Sequence, residues 1–280
     1  MKATIGVISD IHVSPPGTPP DAWHNPYPLE RARAMLAAAV ERVIAVDVDA
    51  VVLLGDLAHL GDPASLSAVL RETASLACPV HILPGNHDLI HTDDALSTVM
   101  ERHGGQRAIL APTAVALAGD LYLVTVALAP RDAQGAFHAH DLPAAPPTAP
   151  LMIFTHFPLL ETRERLLAQD LKHAGDLHNR PDLKHSLVTR TAPTIVVHGH
   201  LHVRDAHATG PVLQLACAAL IEPPHEVTVL EIEREATGEV VVTRHAEPVA
   251  PPAPGVSRIP VLAPADQTWR FADDRWTERT

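Results

Sequence analysis

Pro79-Val80-His81-Ile82-Leu83-Pro84-Gly85-Asn86-His87-Asp88 is an apolar run bounded by prolines that ends in an amide, an imidazole and a carboxylate. The run has the length and β-branched content of a buried strand. Upstream, Ala50–Leu54 is another such run and ends in Gly55-Asp56, while Ala3–Ser9 is a third and ends in Asp10-Ile11-His12. Helical patterns separate them. Leu29, Ala32, Leu36, Ala39 and Val43 share one face over Leu29–Val46, with Pro28 suited to the first turn. Asp62-Pro63 forms an N-cap and first-turn pair that opens a helix to about Leu76, with Leu66, Val69 and Leu70 inward. Strand–helix–strand–helix–strand at this spacing predicts a parallel sheet with right-handed crossovers. Ligands of such sheets gather at the carboxyl ends of strands, so the three polar clusters are expected to converge.

Downstream the pattern changes. A helix is expected over Asp93–Arg102, then a hairpin of Thr113–Leu117 and Tyr122–Ala127, then a loop over Pro130–Pro150. Leu151–Thr155 and Thr194–His198 read as strands that again end in imidazole, at His156 and at Gly199-His200-Leu201-His202. Leu160–Asp170 reads as helical, and Lys172–Arg190 follows no clear period. Val212–Cys217, Val227–Glu233 and Glu239–Arg244 read as short segments of a β-meander. Residues 1–247 form the expected catalytic body. From Pro248 the composition turns to Pro and Ala, and Trp269, Phe271 and Trp276 in the extension 248–280 predict packing on the body or on a neighbouring subunit of a homo-oligomer.

Composition narrows the function classes. Across 280 residues, 33 acidic side chains outweigh 21 basic ones, for a formal charge of -12. Such a surface repels phosphate backbones and anionic lipid, which argues against a nucleic-acid or membrane role. No run of 18 apolar residues and no leader pattern is present, and Cys78 and Cys217 read as buried thiols, so the cytoplasm is the expected compartment.

The donors at the strand ends are carboxylate, imidazole and amide oxygen, with no thiolate, which suits Mn, Fe or Zn. Asp10 and His12, two apart, can share one ion, and His200 and His202 have the same spacing. A carboxylate such as Asp56, arriving between two ions, can bridge them.

Asp10-x-His12, Gly55-Asp56, Gly85-Asn86-His87-Asp88, His156 and Gly199-His200-x-His202, in this order over residues 3 to about 203, resemble the five-part signature of calcineurin-like metallophosphoesterases. The resemblance implies an α/β four-layer sandwich of two mixed β-sheets flanked by helices. It implies two divalent or mixed-valence ions (Mn, Fe or Zn), the first on Asp10, His12 and His202, the second on Asn86, His156 and His200, with Asp56 bridging. It further implies His87 as general acid, Asp88 as the residue that orients it, and hydrolysis of a phosphoester by water activated between the ions. The stretch Gly55–Pro63 with Pro84–Asp88 is also similar to the class III cyclic-nucleotide phosphodiesterase branch. That branch often has paired histidines where this chain has Thr155-His156-Phe157-Pro158, and residues 130–150 do not align with it.

The expected substrate is therefore a small-molecule or nucleotide phosphodiester. A phosphomonoesterase acting on a small metabolite and a non-catalytic scaffold of the same fold are the alternatives. Trp23, His24, Asn25 and Tyr27, in the loop after the first strand, are candidates for substrate contact. His59 is a candidate for the site mouth, and His178 and Arg180 form a polar patch that could meet a phosphate.

Overall fold

The computed structural model describes every residue except 1, 91, 93, 104, 106, 130, 132–135, 143, 147, 174, 253–255, 257, 258 and 280. Strands β1 (Lys2–Ile8), β2 (Ala50–Leu54), β3 (Val80–Leu83) and β4 (Ala108–Leu110) run parallel. The crossovers carry α1 (Ala32–Val46, entered through a 3-10 turn at Leu29–Arg31), α2 (Pro63–Thr73) and α3 (Ala95–His103). Asp62 caps α2, its Oδ1 accepting from the Ser65 amide at 2.9 Å. Alternation assigns the faces of these strands. Ile8, Val51 and Leu53 pack under the helices against Leu36, Val43, Leu66 and Val69, while Ile5, Val7, Val52 and Leu54 face the opposite way.

A second sheet of six strands receives that opposite face. Its members are β5 (Thr113–Ala118), β6 (Leu121–Val126), β9 (Leu151–Thr155), β10 (Thr194–His198), β11 (Asp205–Thr209) and β12 (Val212–Ala216), and a small pair, β7 (Leu128–Ala129) with β8 (His138–Ala139), stands apart. Met152, Phe154, Ile195 and Val197 meet Ile5, Val7, Val52 and Leu54 in the core between the sheets. On the far side, Ile153 and Val196 pack under Leu183 and Leu187 of α5 (Arg180–Val188), with the short α4 (Arg163–Leu167) lying nearby in sequence. The result is an α/β sandwich of four layers.

The first sheet grows on its other edge through β13 (Glu226–Arg234), antiparallel to β1, then β14 (Val240–Pro248), β15 (Gln267–Ala272) and β16 (Arg275–Arg279), giving eight strands. Trp269, Phe271 and Trp276 enter the core between the sheets. The Arg244 guanidinium is fully buried and donates to the carbonyls of Asp205 (2.9 Å) and Pro264 (3.0 Å) and to Gln267 Oε1. Burial pushes it down to about 10.

Several local expectations need correcting. Val212–Ala216 does not continue into the meander: it pairs parallel to β10 in the second sheet, and the antiparallel run is β13 to β16. The helix expected over Leu160–Asp170 contracts to Arg163–Leu167, since Thr162 provides no side-chain cap and Asp170 turns left-handed at φ 56°. Within Lys172–Arg190, α5 forms with Pro181 in its first turn. The helix expected from Asp93 begins at Ala95, and residue 93 lies outside the described residues. The loop over 130–150 contains β8, and residues 130, 132–135, 143 and 147 within it lie outside the described residues.

Candidate metal centre

Five strand ends deliver the polar residues to one place. Asp10 and His12 follow β1, Asp56 follows β2, Asn86 to Asp88 follow β3, His156 follows β9, and His200 and His202 follow β10. The backbone is unusual there. Asp10, His12, Asp56, His200 and His202 all adopt left-handed φ, at 51°, 53°, 50°, 65° and 52°. Such conformations cost on the order of 1–3 kcal/mol each in non-glycine residues and persist where the surroundings enforce them, which marks functional loops. Close approach of the loops to one another needs glycine. A Cβ on Gly85 would lie 2.2 Å from the Asp56 amide, and one on Gly199 would lie 2.1 Å from Ser9 Oγ.

Two groups of donor atoms result, and they share Asp56. Asp10, His12, Asp56 and His202 form one and Asp56, His156 and His200 the other, with the ligand atoms of each group all within 4.8 Å of one another. His202 Nε2 is 3.3 Å from Asp10 Oδ1, while His12 Nε2 and His156 Nε2 are 3.7 and 3.3 Å from Asp56 Oδ2. Asn86 Oδ1 joins the second group, 3.1 Å from His156 Nε2. All six acids and histidines are buried, and the ring nitrogens His12 Nε2 and His200 Nε2 have no hydrogen-bond partner. A buried polar atom left unpaired costs about 1–3 kcal/mol, so converging orphan nitrogens beside buried carboxylates fit a cation.

The titration of the groups says the same. Burial pushes the Asp10 carboxyl up, but the charge and hydrogen bond of His202 outweigh it and hold Asp10 at about 2. Asp56 is likewise held well below the usual carboxylate range against its burial, chiefly by His156. Burial would lower both partner imidazoles, yet Asp56 raises His156 to about 9, and Asp10 with Glu222 raises His202 to about 10. Burial and the His156 charge push His200 down to about 3. The cluster thus balances its carboxylates with protons on two histidines, a balance that divalent cations would supply at those protons' expense.

The Asp88 carboxylate accepts from the loop backbone amides of Leu57 (3.1 Å), Ala58 (2.8 Å) and Gly85 (2.8 Å), bracing the loops after β2 and β3. Burial and the Asp56 charge nevertheless push it up to about 7. The His87 ring is oriented by the His59 carbonyl, which accepts from His87 Nδ1 at 2.7 Å.

The loop from Val13 to Pro28 roofs the cluster. Tyr27 has its ring 5.2 Å from that of His12 and 5.6 Å from that of His202. His24 Nε2 meets the Leu201 carbonyl at 3.0 Å, and Lys172 donates to the Trp23 carbonyl and sits over its ring. Asn25 is buried, its amide donating to Glu222. His59 is buried against His12 and stacks on His87. His178 and Arg180 are placed otherwise. Arg180 is paired with Glu161 (2.7 Å) and Asp176, and His178 is exposed and stacked on His138. Neither makes a hydrogen bond, ion pair or ring contact with the cluster among the described residues. A cavity of about 670 Å³ lies between residues 13–18, α1 and α2, and none of the donor residues of the cluster lines it.

Sequence reasoning missed Glu222. It is fully buried, accepts from His202 Nδ1 at 2.6 Å and ties that ring to the roof through the Asn25 amide. A carboxylate that orients a ligand histidine from behind is a common device of metal sites. Its signal was a lone acid closing the apolar run Cys217–Ile221.

The profile of the calcineurin-like phosphoesterase family matches residues 3–204. No curated protein matches the chain significantly. Among solved structures, a dimetal phosphatase from Danio rerio is 12% identical and aligns with TM-score 0.65 over 89% of this chain and 97% of its own. The purple acid phosphatase PPD1 from yellow lupin (Lupinus luteus) seeds is 10% identical, with TM-score 0.52 over 88% of this chain and 51% of its own. Vps29 from Entamoeba histolytica, as a D62A mutant, aligns over 99% of both chains at 11% identity, with TM-score 0.42. At these identities the likeness to the two phosphatases shows the fold alone. The family profile spans most of the chain and every strand end that carries the cluster, and the chain belongs to the calcineurin-like phosphoesterase family.

Proposed function

We propose that the chain is a metal-dependent phosphoesterase that hydrolyses a phosphodiester bond of a small molecule or nucleotide. The observation that carries this reading is Asp56, one buried carboxylate shared by two groups of donor atoms. Asp10, His12, His202 and Asp56 would hold one ion, and Asp56, Asn86, His156 and His200 the other. Two divalent ions so held supply Lewis acidity and positive charge for the phosphoryl oxygens.

The remaining residues position and protonate. The bond from His87 Nδ1 to the His59 carbonyl leaves Nε2 as the other ring nitrogen, and in the protonated ring Nε2 donates to the departing oxygen. Asp56 also fixes that loop, its Oδ1 accepting from the His87 amide at 2.8 Å. Tyr27, packed on His12 and His202, walls the site against the organic part of the substrate, with Trp23 and His24 in the same roof loop. The likeness of Gly55–Pro63 and Pro84–Asp88 to the class III branch supports a diester.

His87→Ala should retain both metals while slowing esters with poor leaving groups by roughly 10²–10⁴-fold, and p-nitrophenyl esters much less. Equal slowing of both in steady-state assays would remove His87 as the acid. The test of the function itself is turnover of bis-p-nitrophenyl phosphate and p-nitrophenyl phosphate after chelation and again with Mn added back. Restored activity favouring the diester is the expected result. Preference for the monoester would make the chain a phosphatase, and full metal occupancy without turnover of either would favour the scaffold.

A further inference from the structure

His59 belongs to none of the strand-end motifs, yet its ring is buried against a ligand histidine. His12 Nδ1 and His59 Nδ1 are 3.2 Å apart, so the two nitrogens share one hydrogen, with one ring donating and the other accepting. On the metal-centre reading, on which this inference rests, His12 meets its cation through Nε2. That nitrogen is the buried, unpartnered one, and it faces Asp56. Its lone pair must be free, so the hydrogen of His12 sits on Nδ1. His59 Nδ1 is then the acceptor, and the hydrogen of His59 sits on Nε2. Asp21 Oδ2 lies 3.5 Å from that atom, where it can receive the charge of the N–H.

We infer that Asp21, His59 and His12 form a chain that selects the tautomer of His12, making His59 a positioning residue for the metal centre and Asp21 its link to the roof loop. The His59 ring is held for this role on several sides. It stacks on His87, centroids 5.2 Å apart at 23°, and meets the edge of Tyr27 at 6.0 Å. Its backbone amide donates to the Val13 carbonyl at 2.9 Å, which fixes the segment to the start of the roof. Outer partners of this kind govern which nitrogen of a ligand histidine is available and how basic it is. His12, His59 and His87 also bring ring nitrogens within 4.8 Å of one another, but a third ion there would need the His12 Nδ1 lone pair that this tautomer denies.

The test is Mn²⁺ binding to the metal-free full chain by calorimetry, with stoichiometry by elemental analysis. Wild type should bind two ions. His59→Leu should weaken one of the two by about 10–100-fold, the range for loss of an outer-shell partner. His59→Asn should recover to within a few-fold, because its amide oxygen falls about where His59 Nδ1 lies and accepts the same hydrogen. Asp21→Leu, at a half-exposed position where folding is not at stake, should weaken the same step by a few-fold. Unchanged binding in His59→Leu and Asp21→Leu would overturn the inference. So would an Asn variant as weak as the Leu variant, which would make ring packing the cause, or three ions in wild type falling to two in His59→Leu. Wild type that binds no Mn²⁺ would overturn the metal centre itself, and this inference with it.

Discussion

Asp56→Ala is expected to abolish turnover and to empty both metal positions, not one. The carboxylate belongs to both donor groups, so its removal takes an anionic ligand from each. Outer-shell changes cost about 10–100-fold in affinity, and loss of a shared inner ligand should exceed that for each ion. Asp56 Oδ1 also accepts from the His87 amide, so the proposed general acid loses that support as well. The metal-free fold should survive. His156 carries its proton because Asp56 is beside it, and without that charge the buried ring reverts to the neutral form. A metal-free Asp56→Ala protein should therefore melt within a few degrees of metal-free wild type. Elemental analysis that still finds two tightly bound ions would remove Asp56 as the bridge.

Deletion of residues 249–280 is expected to leave no stable protein. Trp269, Phe271 and Trp276 are 4%, 9% and 5% exposed and fill the core between the sheets. Truncating one buried Phe or Trp costs about 3–5 kcal/mol, and three together, at roughly 9–15 kcal/mol, match the whole stability of a typical domain. The deletion also removes two of the three acceptors of the buried Arg244, the Pro264 carbonyl and Gln267 Oε1, leaving only the Asp205 carbonyl to a buried guanidinium. The tail reaches the site too. Leu262 donates to the Arg204 carbonyl at 2.8 Å, two residues beyond His202. Trp269→Ala alone should lower the urea midpoint by an amount corresponding to about 3–5 kcal/mol. A soluble, cooperatively folded deletion variant would show that the tail covers the core without sustaining it.

The first half of the chain was legible because its signals are local. The runs Ala3–Ser9, Ala50–Leu54 and Pro79–Leu83 carry their own length and composition, and Asp62-Pro63 carries its own cap. The polar residues Asp10, His12, Asp56, Asn86, His156, His200 and His202 announce themselves for a related reason. Each stands beside a buried strand, where an uncompensated charge is costly, so its presence implies a partner. The weaker signals failed where a pattern was short or unsupported. Leu160–Asp170 had helical spacing without a capping side chain, and only five residues of it wind into α4.

Sequence alone therefore determined that Ala3–Ser9, Ala50–Leu54 and Pro79–Leu83 are strands and which side chains stand at their ends, because strand periodicity, caps and turn chemistry act over a few residues. Tertiary structure decided the rest. Hydropathy shows that Val212–Ala216 is a buried strand but is blind to its pairing edge, and only packing put it beside β10. Glu222 meets His202 across 20 residues and Asn25 across 197, and His59 meets His12 across 47. Those contacts exist because two sheets stack and bring separate strand ends to one edge, and no local pattern encodes a meeting that depends on how distant segments pack.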